Sequence, residues 1–347
     1  MTMHLVVVGG GPVGLVAAIY AAQSGYQVTV VEPRIEPIDK ACGEGLMPTG
    51  LDELKRIGVD PPGYPMKGIS YLSATSGDGA TAAFRHGDGR GVRRTVLHDQ
   101  LARRARELGA ETAHCRAEGL RNVATHVEVR TSTGDVLKGE YAIAADGLHS
   151  PIREGLGLAA GAAHRSRFGM RRHYSVHPWS KHVEVYWSEI GEAYVTPVGE
   201  DLVGVAVLAK RGAGTFDELL AHFPALNERL ATASSASSVM GAGPMAQGTR
   251  RRTSGRTLLV GDAAGYVDAL TGEGLAVGFA MARAAVAAVA IGGPEKYERE
   301  WSRLTRRQRW STSVLVGATD VRPIRRALLP AAAALPALFD RAVNALA

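Results

Sequence analysis

Cysteine is scarce in this chain, with two residues among 347. Two thiols make neither a disulfide framework nor a four-thiolate metal site, so a reducing compartment is favoured and we expect the protein in the cytoplasm. His98, His149, His173 and His177 have no acids or cysteines at metal-ligand spacing. We therefore predict no metal site, and structural roles for these histidines.

Long apolar runs are also missing. The opening stretch "LVVVGGGPVGLVAAIYAA" lacks the basic segment that begins a signal peptide, and a strand pattern follows it at once, so we interpret it as part of the fold. The apolar stretch "ALLPAAAALPALF", from Ala327, is short for a bilayer span and contains Pro330 and Pro336. No transmembrane helix is predicted, whereas peripheral membrane contact stays open.

Acidic and aromatic residues are comparatively few. The chain has 40 basic and 34 acidic residues, a formal charge of +6, and 6% aromatics. Arginines cluster at 250–252 and 306–309, and Trp301 and Trp310 flank the second cluster. No aromatics alternate with these arginines, as they do where single-stranded nucleic acid stacks. We interpret the clusters as solvated helix faces and predict no nucleic-acid partner.

Strand and helix patterns alternate along the chain. Apolar runs at Leu5–Val8 and in "QVTVVE" predict buried parallel strands on either side of a helix from about Pro12 to Ser24. The runs "NVATHVEVRT" and "VLKGEYAIAAD" predict a hairpin closed by "STGD". Residues 168–208 read as antiparallel strands, and "TLLVGD" leads into a long helix at about 272–291. The sequence therefore predicts an α/β (α+β) protein whose antiparallel sheet floors a pocket.

A glycine-rich turn joins the first strand to the first helix. Gly9, Gly11 and Gly14 form G-x-G-x-x-G, and Glu32 ends the next strand. Such glycines allow the tight turn, the approach of a pyrophosphate and close helix packing, while the acid accepts ribose hydroxyls. This pattern predicts a dinucleotide site. Its predicted contacts are Gly9, Gly11, Pro12, Val13, Gly14, Glu32, Pro33 and Arg34.

Two later stretches narrow the nucleotide to a flavin. In "VGDAAGYVDALTGEGL", Asp262 follows a buried strand and suits a ribityl hydroxyl, and the next helix start suits the pyrimidine edge of a flavin. "ADGLHSPIR" supplies a further turn between a strand and a helix. The contacts predicted here are Asp146, Gly147, Gly261, Asp262, Gly272, Glu273, Gly274 and Leu275.

In this order and at these distances, the three motifs resemble the glutathione-reductase-type FAD fold of aromatic hydroxylases, flavin-dependent halogenases and geranylgeranyl reductases. The resemblance covers roughly residues 4–291. It implies FAD as cofactor, a Rossmann-like FAD-binding domain interleaved with an antiparallel substrate domain, and Arg94 near the FAD phosphates. A second G-x-G-x-x-G is absent. NAD(P)H, the expected electron donor, would therefore bind transiently on the same body, unless a separate reductase supplies the electrons.

The chain is divided accordingly. We predict an FAD-binding domain at 1–73, 93–160 and 248–291, a substrate domain at 74–92 and 161–247, and a helical C-terminal segment at 292–347.

The loop "KACGEGLMPTG", residues 40–50, resembles the Lys-Pro-Cys-Gly loop of geranylgeranyl reductases, with Ala41 in place of proline. The resemblance places Cys42 and Gly43 beside the flavin. Cys42 is either a reactive thiol there or a small filler, and Glu44 is a candidate acid. That branch carries an aromatic-x-Trp-x-Phe-Pro strand; the nearest match, "EAYVTP", has Tyr194 for Trp and Thr196 for Phe.

The sequence favours a monooxygenase that hydroxylates or epoxidises a hydrophobic aromatic or terpenoid molecule with O₂, through a flavin C4a-hydroperoxide. Cys42, Glu44 and Tyr194 are the predicted catalytic residues, and Tyr186 and Trp187 are further pocket candidates. A geranylgeranyl-reductase-like enzyme that reduces a carbon–carbon double bond is the alternative. A halogenase is disfavoured: Lys67 lies near the expected lysine position, but W-x-W-x-I-P is absent.

Overall fold

The computed structural model describes residues 2–161 and 167–346. Residues 162–166 of the predicted substrate domain lie outside this description. In chain order the strands are β1 (His4–Val8), β2 (Gln27–Val31), β3 (Gly45–Leu46), β4 (Tyr64–Met66), β5 (Gly68–Ser73), β6 (Gly79–Ala83), β7 (Gly89–Gly91), β8 (Glu111–Ala113), β9 (Ala117–Asn122), β10 (Val127–Thr131), β11 (Val136–Gly139), β12 (Tyr141–Ala144), β13 (Arg167–Ser175), β14 (His182–Trp187), β15 (Gly191–Gly199), β16 (Leu202–Lys210), β17 (Ser234–Ser235), β18 (Met240–Ala242), β19 (Thr253–Ser254) and β20 (Thr257–Leu259). The helices are α1 (Pro12–Gln23), α2 (Pro48–Arg56), α3 (Arg94–Glu107), α4 (Pro151–Gly155), α5 (Phe216–Leu220), α6 (Pro224–Leu230), α7 (Gly274–Ala290), α8 (Lys296–Thr319), α9 (Arg322–Ala334) and α10 (Pro336–Leu346), with a 3-10 turn at Gly261–Ala264.

The first sheet has six strands in the order β19-β20-β12-β1-β2-β8. All neighbours are parallel except the β19–β20 pair. Its strands read as continuous apolar runs because helices cover them, and Ile19 of α1, Leu101 of α3 and Phe279 of α7 join one buried core with them. The predicted Rossmann-like fold is confirmed.

The predicted hairpin at "STGD" is only half right. β11 pairs antiparallel with β10, as expected, but the same run then leaves this small sheet, and β12 pairs parallel with β1. The change occurs at Gly139, where a Cβ atom would lie 2.9 Å from the His4 carbonyl oxygen. The run "VLKGEYAIAAD" therefore contributes strands to two sheets, and the chain passes from one sheet to the other at Gly139.

The second sheet has eight strands: β17-β13-β16-β15-β14-β5-β6 form one path, and β18 pairs with β13. Its neighbours are antiparallel except β14 and β5, which are parallel. Residues of α5 and α6, including Phe216 and Phe223, fill a core against one face. The predicted domain boundary after residue 73 does not follow this pairing, because β5 joins this sheet through a partner more than 100 residues away.

The C-terminal helices α9 and α10 lie against the second sheet. Phe339 and Val343 of α10 pack on Ala80 and Ala82 of β6, and Arg325 of α9 donates to the buried Glu192 of β15 at 2.5 Å. The predicted helical C-terminus is confirmed. Within residues 2–161 and 167–346, every helix is too short or too polar to cross a bilayer.

Glu273 lies at the start of α7, where that helix meets α8. The neighbouring Thr271 and Thr312 hydroxyls are 3.1 Å apart across this contact, and Glu273 Oε2 is buried with no hydrogen-bond partner. Burial raises the pKa of Glu273 to about 7, although Thr271 and Arg307 act to lower it. Between pH 4.5 and about pH 7, where an exposed glutamate is ionised, the Glu273 side chain is therefore mainly a neutral carboxylic acid.

This raised pKa predicts a pH-dependent stability. Between the ordinary value of 4.5 and about 7 the folded protein holds a proton that the unfolded chain releases, so stability falls as the pH rises through this window. Glu273→Gln stays neutral and should escape the loss. We expect the stability difference between the variant and the wild type to grow by on the order of 1 to 2 kcal/mol from pH 5 to pH 8.

Urea unfolding at a series of pH values measures this difference. Glu118→Gln, which changes an exposed glutamate, is the matched control and should follow the wild type. Parallel pH profiles for Glu273→Gln and the wild type would contradict a buried, protonated Glu273.

Candidate active site

A cavity of about 550 Å³ lies between the two sheets. One end is formed by the Gly9–Gly14 turn and Glu32, and the other by Tyr71, Val185 and Tyr194 of the eight-stranded sheet. Its volume is in the range of small-molecule sites. Most of the predicted nucleotide contacts therefore open into the same space as the predicted pocket strand. Gly14 and Glu273 do not line it: Gly14 packs against the Gly9 carbonyl, and the Glu273 carboxyl is buried at the start of α7.

The three glycines of the first turn have different reasons to be glycine. Gly9 has φ +104°, and a Cβ atom there would lie 2.5 Å from the Ala145 carbonyl oxygen; a Cβ atom on Gly14 would lie 1.9 Å from the Gly9 carbonyl oxygen. At Gly11 the nearest atom is Arg94 Nη2, at 3.8 Å. Packing requires the first and third glycines, whereas Gly11 leaves open space in front of the α1 N-terminus.

A buried guanidinium faces that space. Arg94 is 9% exposed, and its Nε has no hydrogen-bond partner among the described residues. The α1 N-terminus, capped by Gly11 without any side-chain bond, presents its free amides to the same region. Free amides, a helix dipole and an uncommitted arginine are the donor set that a pyrophosphate requires. The residues therefore fit the diphosphate of FAD.

Glu32 closes the far end of the groove. It is 3% exposed, and its carboxylate accepts hydrogen bonds from the Gly10 amide at 2.9 Å and from the Arg34 guanidinium at 2.8 and 2.9 Å. Burial acts to raise the pKa of Glu32, but these bonds lower it below its ordinary value. An ionised acceptor at the end of β2 fits the ribose hydroxyls of a dinucleotide.

One arginine ties the two later turns together. Arg153, 2% exposed, donates to the carbonyl oxygens of Leu148 and Ala263 and to the side chain of Gln247. This holds the turn at Asp146 and Gly147 against the turn at Gly261 and Asp262. Burial raises the pKa of Asp146, whose Oδ2 accepts from the Ile152 amide at 3.1 Å.

The start of α7 completes the groove. Gly272 has φ +71°, and Gly274 lies beneath the ring of Tyr266, which a Cβ atom would meet at 3.4 Å. Tyr266 lines the cavity but is missing from the predicted site residues, although it follows Asp262 by only four positions. Burial raises the pKa of Tyr266 well above its ordinary value. Leu275 and the free amides of α7 face the cavity with it.

The loop at residues 40–47 lies where the groove meets the second sheet. Cys42 lines the cavity, and its Sγ accepts a hydrogen bond from the Glu44 amide at 3.4 Å. Thr196 Oγ1 donates to the Gly43 carbonyl oxygen at 2.8 Å, so this side chain holds the loop. Lys40 Nζ lies 3.9 Å from Asp262 Oδ2, across the groove.

Glu44 is engaged on both carboxylate oxygens. Oε1 accepts from the Arg94 amide at 2.8 Å, and Oε2 lies 2.5 Å from His173 Nε2, with both side chains buried. Arg171 donates toward His173 Nδ1 at 3.0 Å and to Asp39 at 2.5 Å, which assigns the Nε2 proton to the bond with Glu44. Sequence reasoning missed this cluster, because 129 residues separate Glu44 from His173.

The far end of the cavity is apolar. Tyr194 forms part of its wall, and its hydroxyl donates to the Leu270 carbonyl oxygen at 3.0 Å. Most side chains that the sheet and its neighbours present here are aliphatic or aromatic; the polar ones are Arg171, Thr196 and the hydroxyls of Tyr71 and Tyr194. The aliphatic and aromatic side chains include Ile69, Tyr71, Val183, Val185, Tyr194, Ala206, Leu208, Met245, Leu270 and Val343, and we call this end the apolar chamber.

Two pocket expectations are corrected, and Lys67 lies outside the cavity. Tyr186 is fully buried on the opposite face of the sheet, where its hydroxyl donates to Glu184. Trp187 shares the chamber's face but packs behind it, against Met66 and Tyr71, and does not line the cavity. Lys67 is half exposed and pairs with Asp88 at 2.5 Å on the surface.

Comparison with known proteins places this geometry in a family. A family model described as "FAD binding domain" matches residues 2–291. The chain is 32% identical over 336 residues to a digeranylgeranylglycerophospholipid reductase of Methanopyrus kandleri; the alignment covers 89% of this chain and 86% of the relative. It is 28% identical over 333 residues to a menaquinone reductase of Mycolicibacterium smegmatis; that alignment covers 86% of this chain and 79% of the relative.

A solved structure has the same fold. The flavin-dependent halogenase CmlS superposes with a TM-score of 0.81 at 19% identity over 92% of this chain, which spans 64% of the halogenase, slightly less than two thirds. The cavity, the turns around it and these matches agree with FAD as the predicted cofactor and with the family resemblance seen in the sequence. The chain therefore belongs to the FAD binding domain family and is an FAD-dependent flavoenzyme related to the digeranylgeranylglycerophospholipid reductases.

Proposed function

We propose that the protein is an FAD-dependent reductase that saturates a carbon–carbon double bond in a long apolar substrate of the isoprenoid class. The observation that carries the proposal is the apolar chamber, which adjoins the cofactor groove and whose sheet wall is mainly aliphatic and aromatic. The charged Arg171 of β13 also lines the cavity, but its guanidinium is bonded to Asp39 and His173. Such a wall favours a hydrocarbon over a polar substrate. The two relatives above, named for reduction of a digeranylgeranyl lipid and of a menaquinone, support this class.

FAD would lie along the groove in the order of its contacts. In this proposal Glu32 binds the ribose, the turn at Gly11 and Arg94 bind the pyrophosphate, Asp262 binds the ribityl chain, and the start of α7 holds the pyrimidine edge. Bound FAD, once reduced by a donor that we expect to be NAD(P)H, supplies the hydride. The protein's own contribution is to orient the double bond and to keep water from it.

Saturation also requires a proton at the second carbon. Of the three predicted catalytic residues, Glu44 has both oxygens bonded and the Tyr194 hydroxyl donates a hydrogen bond to the Leu270 carbonyl oxygen. The Cys42 thiol lines the cavity, and among the described residues it donates no hydrogen bond. The Glu44 amide, 3.4 Å from Sγ, would stabilise the thiolate that proton transfer leaves. We therefore assign Cys42 as the proton donor, Glu44 as the residue that positions its loop and Tyr194 as a wall of the chamber.

Oxygen transfer is the second candidate. The same closed apolar chamber would protect a reactive oxygenated flavin from water, which is what hydroxylation or epoxidation requires. The surface position of Lys67, paired with Asp88, does not support halogenation.

An anaerobic single-turnover experiment separates the two candidates. The protein is reduced with dithionite under nitrogen and mixed with a geranylgeranyl lipid. A reductase should return the flavin to its oxidised spectrum, and the product should gain two hydrogens. If the flavin stays reduced under nitrogen and the product gains an oxygen atom only after air is admitted, the protein is a monooxygenase and the reductase proposal fails.

The open space at Gly11 predicts a separation between folding and FAD binding. Gly11→Ala fits the backbone, φ −69° and ψ 172°, and meets no atom closer than 3.8 Å, so its stability should match the wild type. Its methyl group would occupy the space proposed for the pyrophosphate, and we expect the Kd for FAD to rise about tenfold or more. Titration of apoprotein, followed by quenching of flavin fluorescence, measures this.

Gly14→Ala is the matched contrast at the same turn. Its Cβ atom would lie 1.9 Å from the Gly9 carbonyl oxygen, and we expect it to lower the free energy of unfolding by about 3 kcal/mol or more. Unchanged FAD affinity in a folded Gly11→Ala would remove the pyrophosphate from this turn.

The proton-donor assignment predicts a selective loss in Cys42→Ala. We expect kcat to fall about 100-fold or more while FAD stays bound with its normal spectrum, because general acids contribute this much. Cys42→Ser should fall less far, since a hydroxyl still carries a proton. Cys115→Ala, at the second cysteine, which is buried in the core of the first sheet, is the control and should keep its activity. Wild-type turnover in Cys42→Ala would leave Cys42 only a packing role.

A further inference from the structure

The net charge of the chain is confined to its last helices. Residues 302–347 contain eight arginines and two aspartates, a formal charge of +6, which equals the net charge of the whole chain. The preceding 301 residues are therefore neutral overall. These arginines lie on α8, α9 and α10, and we call the described part of this segment, residues 302–346, the C-terminal helical layer.

The same layer concentrates exposed apolar side chains. Of the ten large apolar side chains that are exposed among residues 2–161 and 167–346, six lie between 310 and 338. They include Trp310, which is 69% exposed, and Leu338, which is 61% exposed. The complete set in the layer is Trp310, Val314, Val321, Ile324, Leu335 and Leu338.

On α8 the arginines and apolar residues share one stripe. Arg303, Arg307, Trp310 and Val314 follow helical spacing and are all exposed, while Thr305, Gln308, Thr312 and Val316 face inward. A helix face that contacts only water usually carries charged or polar groups. Large exposed apolar residues on such a face indicate a surface that binds another molecule or a membrane.

On α9 the outward side is apolar over its whole length. Ile324, Ala327, Ala331 and Ala334 follow the spacing i, i+3, i+7, i+10 and are exposed. Two exposed arginines lie beside them: Arg322, and Arg326, which pairs with Glu189. The inward residues Leu328 and Leu329 pack on the core that lines the chamber. Pro330 lies inside α9, whereas Pro336 begins α10 and separates the two helices. Helices with an apolar side and basic residues beside it are typical of segments that lie on a membrane surface.

The layer is also continuous with the cavity. Leu328 and Leu329 pack against a core that contains Val183 and Val185, which line the chamber, and Val343 of α10 lines the chamber directly. The helices that cover the chamber on their inner side therefore carry the exposed apolar and basic residues on their outer side. An apolar molecule leaving a bilayer beneath this layer would meet the chamber's cover first.

We propose that the C-terminal helical layer is a docking surface for a bilayer of anionic phospholipids. The exposed apolar residues insert between lipids, and the exposed arginines bind the phosphate groups. The docking proposal rests on the proposed function only in that an isoprenoid lipid would reach the chamber from this bilayer. A neutral main body with a strongly basic layer fits an anionic membrane better than a second copy of the chain, because two such layers would repel each other.

Vesicle co-sedimentation tests the surface in the full-length protein with FAD bound. Vesicles of phosphatidylcholine are compared with vesicles of phosphatidylcholine and phosphatidylglycerol, at low and high salt. We expect binding to the anionic vesicles alone, weakened by salt. The double variant Leu335→Asp with Leu338→Asp should weaken binding at least about tenfold, and Arg322→Gln about fivefold. Val136→Asp, which changes an exposed valine on β11, is the control and should bind normally.

Two further measurements keep the outcomes distinct. Unfolding temperature and turnover of a detergent-dispersed lipid should be unchanged in the double variant, because these side chains contact neither FAD nor the chamber. Absence of binding to anionic vesicles overturns the docking surface, as does a dimer in size-exclusion chromatography that the double variant makes monomeric. Vesicle binding by a protein that reduces no isoprenoid lipid would overturn the proposed function and leave the docking surface intact.

Discussion

The buried contact between Glu44 and His173 fixes the distance between the cofactor groove and the chamber. Glu44 accepts from the Arg94 amide at the start of α3 and bonds His173 on β13, so one side chain connects the two sheets. Removing one partner of such a buried hydrogen bond costs about 1 to 3 kcal/mol, because the remaining group stays desolvated and unpaired. Glu44 also has φ +59°, a left-handed conformation that costs a residue with a Cβ about 1 kcal/mol or more. The position of Cys42, two residues earlier, depends on this contact.

A second set of buried charges fixes the cover of the chamber. Arg325 of α9 bonds Glu192 on β15, Glu192 pairs with Arg167, and Arg167 lies 3.5 Å from Asp268 in the segment before α7. Burial raises the pKa of Asp268, although Arg167 opposes this. The chain of contacts runs from the outer helices to the turn that would hold the flavin. A shift of α9 would therefore displace residues at the cofactor end of the cavity as well as residues of the chamber.

The cofactor groove could be predicted from the sequence, because its chemistry is local. A pyrophosphate needs a tight turn, free amides and a strand-end acid, and these requirements fall within the 24 residues from Gly9 to Glu32. The chamber could be predicted only in part. Tyr186 and Trp187 are adjacent on β14, so only one of them can face the chamber side, and the aromatic pattern alone does not indicate which one. The contacts of Glu44, His173 and Asp39, and the pairing of β5 with β14, join residues more than 100 positions apart and have no local signature.

Under the proposed function, the arrangement of polar groups explains why the chamber would favour apolar substrates. Several polar side chains at its border are bonded to the protein: Thr196 to Gly43, Tyr194 to Leu270, and Glu44 to Arg94 and His173. A substrate carboxylate entering the chamber would lose its water and meet mainly aliphatic and aromatic side chains, which is unfavourable. A hydrocarbon chain pays no such cost. In the proposed reductase, the bonds that hold the loop in place therefore favour apolar substrates and keep the Cys42 thiol at the cavity surface.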